Sequence, residues 1–363
     1  MLTVYFKRME SWHSKLIVKS WLGPLPMRFP LVLAAIIAMT IAATANIKVR
    51  YDQWTFWELN PNLNEFAGSM SFATADAPYF LGHAAAAKKG LEPDEFDRKR
   101  LYPNNEIRYQ KSGKNPQLAQ RPLLSTLISL LSPSDNPGDL LNAAHTILII
   151  NVGLSVMMII LTFGVTGYWL EGSVAALGGG LSSAYLVRSS FGRIDTDQLN
   201  LGLMYFLFAL ILLSSRSKTA APALIWAVVA GAISNIFMSW YGKPELIWIA
   251  IAAYAWLLLV LRKDLKLAFT SITVFFLLSQ ITIKNPFASA YFLEAIEHGS
   301  FVFPNTLKTI TEAARISFPE MLASAVGSVE MGVLCLIGFG IWAIRHPVMA
   351  VAYLPLLAFA MLN

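Results

Sequence analysis

Long apolar runs recur along the chain, and polar stretches of very different lengths separate them. The first run covers residues 29–46, and a nearly continuous series begins near residue 141. Apolar runs approaching about 20 residues are typical of helices that span a bilayer, since a helix pairs its own backbone groups in lipid. The pattern predicts a first membrane helix over residues 29–46 and further spans at about residues 141–166, 173–187, 198–214, 220–241, 245–261, 266–283, 330–345 and 347–363.

Two polar stretches are much longer than the others, at about residues 47–120 and 284–329. Loops of this length without a span of their own are usually functional or disordered. The short apolar run Leu123–Leu131 cannot cross a bilayer, and a turn rich in Ser, Pro, Asn and Gly follows it over residues 132–139. The sequence therefore predicts an all-α, polytopic transmembrane helical bundle with two long external loops.

Composition supports a membrane protein. Of the 363 residues, 56% are hydrophobic and 14% are charged, with a mean hydropathy of +0.54, which leaves too little polar surface to cover a soluble domain. The net charge of +6 does not indicate nucleic-acid binding, because the basic residues lie beside apolar runs, where they anchor helices. The single cysteine, Cys335, excludes an internal disulfide and a structural zinc site that needs two or more cysteines.

Two clusters of small residues, Gly178–Gly180 and Gly338–Gly340, lie within predicted spans. Glycines in membrane helices allow neighbouring helices to approach closely. No strand is predicted before either cluster, so a phosphate-binding loop is disfavoured. Both clusters therefore predict close helix packing.

The positions of basic residues predict how the chain crosses the membrane. Residues 1–28 are basic and, by the positive-inside rule, lie on the cytoplasmic side. This leader is too long for a signal peptide and too many spans follow it, so the first apolar run is predicted to be an uncleaved helix. Alternation then places the short basic loops inside, around Arg216, Lys218, Arg262, Lys263 and Arg345. Both long loops and the polar stretch that ends at Asp197 fall on the opposite, extracytoplasmic face of the cell membrane.

The most informative polar stretch is residues 188–197, between two predicted spans. It contains Arg188, Arg193, Asp195 and Asp197 at a predicted membrane boundary. Charge is costly to dehydrate there and is a candidate for function, although a solvated turn between two helices is the competing interpretation. Arg188 in particular is also consistent with an arginine at a helix end that extends its charge towards water.

Carboxylates from separate external loops are suited to a hard divalent cation such as Mg²⁺ or Mn²⁺. Asp76 in the first loop and the pair Asp195 and Asp197 are predicted on the same face of the membrane. Three unrelated solvated carboxylates would give the same pattern. The second long loop adds four candidates among which composition does not choose, namely Glu294, Glu297, Glu312 and Glu320.

Three short motifs resemble those of one family. Thr309-Ile310-Thr311-Glu312 resembles the Thr-Ile-x-Glu motif in the large external loop of the single-subunit oligosaccharyltransferases of bacteria and archaea. Residues 188–197, an arginine followed seven residues later by Asp-Thr-Asp, resemble the second acidic motif of that family, and Asp76-Ala-Pro-Tyr resembles the first. The motifs occur in the family's order, and the resemblance covers the whole chain.

The resemblance implies a GT-C membrane fold. It also implies transfer of an oligosaccharide from a polyprenyl-pyrophosphate carrier to the asparagine of an Asn-x-Ser/Thr sequon in an acceptor polypeptide. The implied catalytic residues are Asp76, Asp195 and Glu312, and the implied cofactor is Mn²⁺ or Mg²⁺. Asp76, Asp195, Asp197 and Glu312 would bind the metal, while Arg188 and Glu312 would contact the acceptor.

The chain also departs from the family pattern. Single-subunit oligosaccharyltransferases carry a soluble external domain with a Trp-Trp-Asp motif that reads the sequon, preceded by an arginine for the carrier pyrophosphate. The sequence ends at Asn363, beside an apolar run, and contains no Trp-Trp pair. We therefore expect residues 1–363 to be the N-terminal catalytic region of a longer protein, with impaired transfer when alone.

Other functions fit parts of the pattern. Another GT-C glycosyltransferase, such as a protein mannosyltransferase, would share the first-loop carboxylate but not Thr-Ile-x-Glu. A transporter or lipid flippase would carry its charges midway along broken helices rather than at helix ends. A non-catalytic remnant would retain only lipid binding.

Overall fold

The computed structural model of the protein is a helical bundle. It describes residues 29–60, 65–66, 69–70, 76–91, 121–165, 168–241, 244–261, 264–279, 317–345, 347–348 and 350–352. Within these ranges the fold is all-α apart from one short antiparallel pair, β1 (Glu65–Phe66) with β2 (Ser69–Met70), in which Glu65 lies opposite Met70. The predicted all-α class is confirmed to this extent.

The first helix, α1, covers Phe29–Leu59 and is longer than its apolar run. At 1.5 Å per residue its 31 residues are about 46 Å long, against a hydrocarbon thickness of about 30 Å. The segment after Asn46, predicted to begin the first external loop, thus continues as helix. Its polar residues divide between two faces: Lys48 and Asp52 form an exposed ion pair at 2.7 Å, whereas Arg50 is buried.

Two short helices belong to the region between the first apolar run and the main series of spans. Helix α2 is Ala77–Lys88 and α3 is Leu123–Leu131, the latter with the bounds of the short apolar run. Helix α2 packs against α3 and against the following helix, α4 (Pro137–Val165). The buried side of α2 includes Phe80, Leu81 and His83.

Among the described residues, three helices are long and apolar enough to cross a membrane: α4, α7 (Asp197–Arg216) and α8 (Ala220–Tyr241). Their bounds lie within a few residues of the predicted spans. Helix α7 occupies the centre of the bundle and packs most closely against α4 and α8. Several of its apolar side chains, including Leu207, Leu210 and Ile211, are fully buried.

The predicted single span over residues 173–187 is wrong. The chain forms two helices there, α5 (Trp169–Gly180) and α6 (Ser183–Arg188), and the break falls at Leu181 and Ser182. Ser182 has an extended backbone and its hydroxyl accepts a hydrogen bond from the Tyr185 N–H, so it caps a new helix instead of continuing the old one.

Four further helices complete the described chain: α9 (Pro244–Leu261), α10 (Leu265–Leu278), α11 (Phe318–Val326) and α12 (Val329–Arg345). Helices α9, α10 and α12 contain shorter apolar segments of 10–17 residues. Helix α11 packs against α12 and against α6. Most of the predicted span at residues 347–363 lies outside the described residues.

Close helix packing occurs at some of the glycines but not at the predicted cluster near the end of the chain. A Cβ at Gly180 would collide with the side-chain amide of Asn46, and one at Gly202 would lie 2.5 Å from the Ser155 Cα. A Cβ at Gly338 or Gly340 would meet nothing within 4 Å. Gly180 therefore supports the packing prediction, whereas in the described structure Gly178, Gly179, Gly338 and Gly340 face open space.

The two ends of the central helix α7 are fixed by different contacts. At its last residue, Arg216 Nη1 donates a hydrogen bond of 2.6 Å to the main-chain carbonyl of Val165, where α4 ends. At its start, Thr196 accepts a hydrogen bond from Trp240, at the end of α8. The 20 residues of α7 separate these ends by about 30 Å, close to the thickness of the bilayer hydrocarbon.

Candidate active site at the start of helix α7

Residues 188–197, which we call the acidic segment, connect the end of α6 to the start of α7 by a tight turn. Helix α6 ends at Arg188, and α7 begins at Asp197 after its N-cap residue Thr196. Gly192 has φ +79°, in the left-handed region where residues with a side chain are strained. The turn brings both arginines and both aspartates of the segment into contact distance.

The four charged side chains form two ion pairs. Arg188 Nη1 lies 3.0 Å from Asp197 Oδ2, and Arg193 Nη2 lies 3.5 Å from Asp195 Oδ2. The Arg193–Asp195 pair is the more buried, with side-chain exposures of 12% and 13%, against 40% for Arg188 and 20% for Asp197. The aspartates are therefore held in fixed positions rather than freely solvated, which argues against the simple solvated turn.

The second oxygen of each aspartate is also engaged. Asp195 Oδ1 accepts a hydrogen bond of 2.6 Å from the Thr196 N–H, and Asp197 Oδ1 accepts one of 3.1 Å from the Asn200 side chain. Asp195 Oδ1 also accepts a hydrogen bond of 3.4 Å from the Thr196 hydroxyl, so a cation bound there would have to displace one of these donors. Carboxylate oxygens of this kind are the donors that suit Mg²⁺ or Mn²⁺. The two carboxylates thus fit part of a hard-cation site.

Asp76 lies at the start of a different helix. It is exposed at the N-cap position of α2, and its main-chain carbonyl accepts hydrogen bonds from Tyr79 and Phe80. Its neighbour Ala77 belongs to the same buried hydrophobic cluster as Ile194 of the acidic segment. Helix α2 and the acidic segment therefore border one core.

The metal site predicted from Asp76, Asp195, Asp197 and Glu312 stays a prediction. In the described part of the chain, no three or more His, Cys, Asp or Glu side chains come together in a way that could hold a metal ion. Glu312 and the rest of Thr309–Glu312 lie outside the described residues.

The described chain resumes near the acidic segment. Helix α11 begins at Phe318 with a capping box in which Ser317 and Glu320 hydrogen-bond each other's backbone N–H, and the helix contacts α6. Glu312 precedes Ser317 by five residues, so the chain bounds their separation at about 18 Å. The end of the second long loop is therefore anchored beside the helix that carries Arg188.

Sequence reasoning missed the residues that hold the acidic segment in place. The first is Arg50 of α1, which donates hydrogen bonds to the Ser189 carbonyl at 3.0 Å and to the Gly180 carbonyl at 3.0 Å. Arg50 falls within residues 47–120, which were predicted to be an external loop. The sequence contained an indication of this role, because Asn46 and Arg50 are four residues apart and would lie on the same face of a helix.

An aromatic cluster holds the middle of the segment. Phe191 is buried against Trp54 of α1 and His145 of α4, with ring centroids 5.7 Å and 4.9 Å away. His145 Nε2 also accepts a hydrogen bond of 3.4 Å from the Gly192 N–H. A buried histidine within an apolar run was the signal available for this contact.

The start of α7 is held by a polar network and by α8. Gln198 accepts a hydrogen bond from Asn151 at 3.3 Å and donates one to the Arg193 carbonyl at 3.0 Å. The Gln198 carbonyl accepts from Ser155 and from Tyr185. Three helices therefore fix the acidic segment, namely α1 through Arg50 and Trp54, α4 through His145 and Ser155, and α8 through Trp240.

Comparisons with known proteins give no family assignment. No model of a protein family matches the chain, and a search of curated proteins finds no matching sequence.

Proposed function

We propose that the chain is the membrane catalytic region of a glycosyltransferase of the oligosaccharyltransferase type. It would move an oligosaccharide from a polyprenyl-pyrophosphate carrier to the asparagine of an Asn-x-Ser/Thr sequon, on the extracytoplasmic face of the cell membrane. The observation that supports this most is the fixed pair Asp195 and Asp197, each ion-paired with an arginine at the start of a membrane-length helix.

Depth along the bundle favours a transferase over a transporter. Asp197 is the first residue of α7, and the opposite end of this helix is about 30 Å away at Arg216. Substrate sites of transporters are expected near the bilayer midplane, whereas a polyprenyl carrier presents its pyrophosphate at the headgroup level. A site at a helix end therefore suits chemistry on a lipid-linked pyrophosphate.

Within this proposal the chain's own residues bind and orient the acceptor. Asp76 and Asp195 would accept hydrogen bonds from the acceptor amide and direct its nitrogen towards the sugar. Arg188, which is 40% exposed, would contact the acceptor peptide beside Asp197. A divalent cation, Mn²⁺ or Mg²⁺, held by Asp76, Asp195, Asp197 and Glu312, would supply positive charge for the departing pyrophosphate.

The position of α11 supports the role given to Glu312. A side chain within about 18 Å of Ser317 can approach α6, because α11 itself contacts that helix. Glu312 would then meet the acidic segment from the second long loop and help to cover the bound acceptor. The packing of α11 against α6 keeps this part of the second long loop close to the acidic segment.

The test is transfer from a polyprenyl-pyrophosphate-linked oligosaccharide to a fluorescent peptide with one Asn-x-Thr sequon, by the chain in lipid nanodiscs with Mn²⁺. We expect a slow, cation-dependent product, because transfer by residues 1–363 alone is predicted to be impaired. This product should be lost when the peptide asparagine is changed to glutamine. Asp76→Asn, Asp195→Asn and Glu312→Gln should each reduce the product by at least about 100-fold, the scale of lost orientation and charge stabilisation.

Asp52→Asn is the matched control, because Asp52 is an exposed carboxylate of α1 whose described ion pair is with Lys48. It should leave transfer unchanged. Near-normal transfer by all three site variants would contradict the assignment of the site. Transfer of single sugars to serine or threonine, with none to the sequon asparagine, would contradict the oligosaccharyltransferase assignment and favour another GT-C enzyme.

A further inference from the structure

Arg50 is the largest fully buried side chain of the described structure, with 0% of its surface exposed. Its Nε donates to the carbonyl and the hydroxyl of Ser189, and its Nη1 donates to the carbonyl and the side chain of Asn46. Its Nη2 donates to the Gly180 carbonyl and to the Ser189 hydroxyl. These hydrogen bonds all end on neutral oxygens.

A buried guanidinium with neutral hydrogen-bond partners is expensive to maintain. Removing a charged group from water costs several kcal/mol even after relaxation, and an apolar side chain of similar size would fill the same space without that cost. Arg50 differs from such a side chain in the direction and number of its hydrogen bonds. The role of Arg50 is therefore to be found in the groups that its hydrogen bonds hold together.

The partners of Arg50 lie where two helices end. Gly180 is the last residue of α5, and Ser189 is the C-cap residue of α6. The last carbonyls of a helix have no partner within it, and a cation there satisfies them and interacts favourably with the helix dipole. One arginine from α1 thus joins the C-terminal ends of both α5 and α6.

Ser189 is adjacent to Arg188, which pairs with Asp197 at 3.0 Å. The other Arg50 contacts are equally fixed, because Gly180 approaches Asn46 so closely that a Cβ would collide, and Arg50 lies 5.1 Å from the Tyr185 ring centroid. Movement of Ser189 relative to α1 would therefore break several hydrogen bonds at once.

We propose that Arg50 is a positioning residue for the acidic segment. It holds Ser189 against α1 and so sets the place of Arg188, and through Arg188 of Asp197, without touching substrate. This inference rests on the proposed function in one respect: the proposed function assigns binding of the acceptor and the cation to the acidic segment. The positional part is testable without any transfer assay.

The first test uses a cysteine reporter in the detergent-solubilised full chain. Cys335 is replaced by serine, and Ser190→Cys is introduced beside the Arg50 contact. The rate of maleimide labelling of this cysteine should rise at least several-fold in Arg50→Met. It should rise less in Arg50→Lys, because an ammonium can still donate to one of the two carbonyls, although it cannot bridge Gly180 and Ser189 as a planar guanidinium does. Lys48→Met, on the exposed face of the same helix, should leave the rate unchanged.

A second reporter, Lys218→Cys, lies just beyond the opposite end of α7 and detects general loosening of the fold. Its labelling rate should be the same in all Arg50 variants. Equal labelling of Ser190→Cys in the unmodified and Arg50→Met backgrounds would overturn the proposal. A parallel rise at both cysteines would also overturn it, because Arg50 would then be a general packing residue.

Ser189→Ala tests the contact from the other side. It removes the hydroxyl that accepts from Nε and Nη2. Its effect on the labelling of Ser190→Cys should be smaller than that of Arg50→Met. Combining Ser189→Ala with Arg50→Met should give labelling no faster than Arg50→Met alone, since both changes break the same contact. Full additivity would contradict the proposed connection.

A kinetic test applies where transfer is measurable. Arg50→Met should raise KM for the sequon peptide at least about tenfold, should leave KM for the lipid-linked donor within about twofold, and should be partly rescued by Arg50→Lys. An equal loss for both substrates would overturn the positioning role. If the unmodified chain shows no transfer, the proposed function fails while the labelling experiment still decides the role of Arg50.

Discussion

Trp240 donates its indole N–H to the main-chain carbonyl of Thr196 over 2.7 Å, and so joins the end of α8 to the N-cap residue of α7. The indole is only 4% exposed, so the hydrogen bond is protected from water. Thr196 lies between Asp195 and Asp197, and this contact therefore fixes the backbone from which both carboxylates project.

Replacing Trp240 with phenylalanine removes that donor and keeps an aromatic ring. We expect Trp240→Phe to destabilise the protein by about 1–2 kcal/mol, the cost of losing a buried hydrogen bond. The midpoint of thermal unfolding in detergent, followed by circular dichroism, measures the change. Trp256→Phe is the matched control, because Trp256 donates to the Val348 carbonyl at 3.0 Å but is 37% exposed, and the change should cost less than about 1 kcal/mol.

The tight crossing of α4 and α7 gives a second prediction. A Cβ at Gly202 would lie 2.5 Å from the Ser155 Cα, so Gly202→Ala forces the two backbones apart. We expect a loss of about 1–3 kcal/mol in the free energy of unfolding, measured by denaturant titration. Gly178→Ala, in a helix and with nothing within 4 Å of the added Cβ, should be neutral or stabilising by up to about 1 kcal/mol. A stable Gly202→Ala variant would show that the crossing is looser than described.

Much of the fold could be predicted because apolar runs and helices coincide. The predicted span at residues 220–241 is α8, and the short apolar run Leu123–Leu131 is a helix, α3, with the same bounds as the run. The extension of α1 beyond Asn46 was missed because the charged residues there lower the hydropathy of the segment, which indicated a loop. Their helical spacing, with Lys48 and Asp52 four residues apart on the exposed face, was the better signal.

The break between α5 and α6 was missed because the residues around it remain apolar. Gly180 and Ser182 were a signal for a helix end and a new N-cap, but the break is stabilised by Arg50, which binds the Gly180 carbonyl. Arg50 and Ser189 are 139 residues apart, so no local pattern predicts their contact. The charged residues of the acidic segment could be read from the sequence, whereas their supports could not.

The two ion pairs of the acidic segment should respond differently to loss of a carboxylate. Asp195→Asn leaves Arg193, which is 12% exposed, whereas Asp197→Asn leaves Arg188, which is 40% exposed and can turn towards water. We expect Asp195→Asn to lower stability by at least about 1 kcal/mol more than Asp197→Asn, because loss of a carboxylate beside a buried charge costs more than loss of one beside an exposed charge. Thermal unfolding of the two variants at equal pH and salt compares them directly. A greater loss of stability in Asp197→Asn than in Asp195→Asn would contradict the ranking of the two ion pairs by burial.

The capping box of α11 makes a prediction about pH. Hydrogen bonds from Ser317 to the Glu320 carboxylate lower the pKa of that side chain below its ordinary value. A lowered pKa in the folded state means that the ionised carboxylate stabilises the helix start above the ordinary pKa of glutamate, and that this stabilisation is lost as the pH falls through the lowered pKa. The start of α11 should therefore fray only in acid. Carbon-13 NMR of side-chain carboxylates in glutamate-labelled protein measures the pKa. In Ser317→Ala the pKa should rise only part of the way towards its ordinary value, because the variant loses the hydroxyl but keeps the backbone N–H that donates to Glu320 Oε2. A pKa that stays as low as in the unmodified protein would show that the Ser317 hydroxyl does not contribute to it.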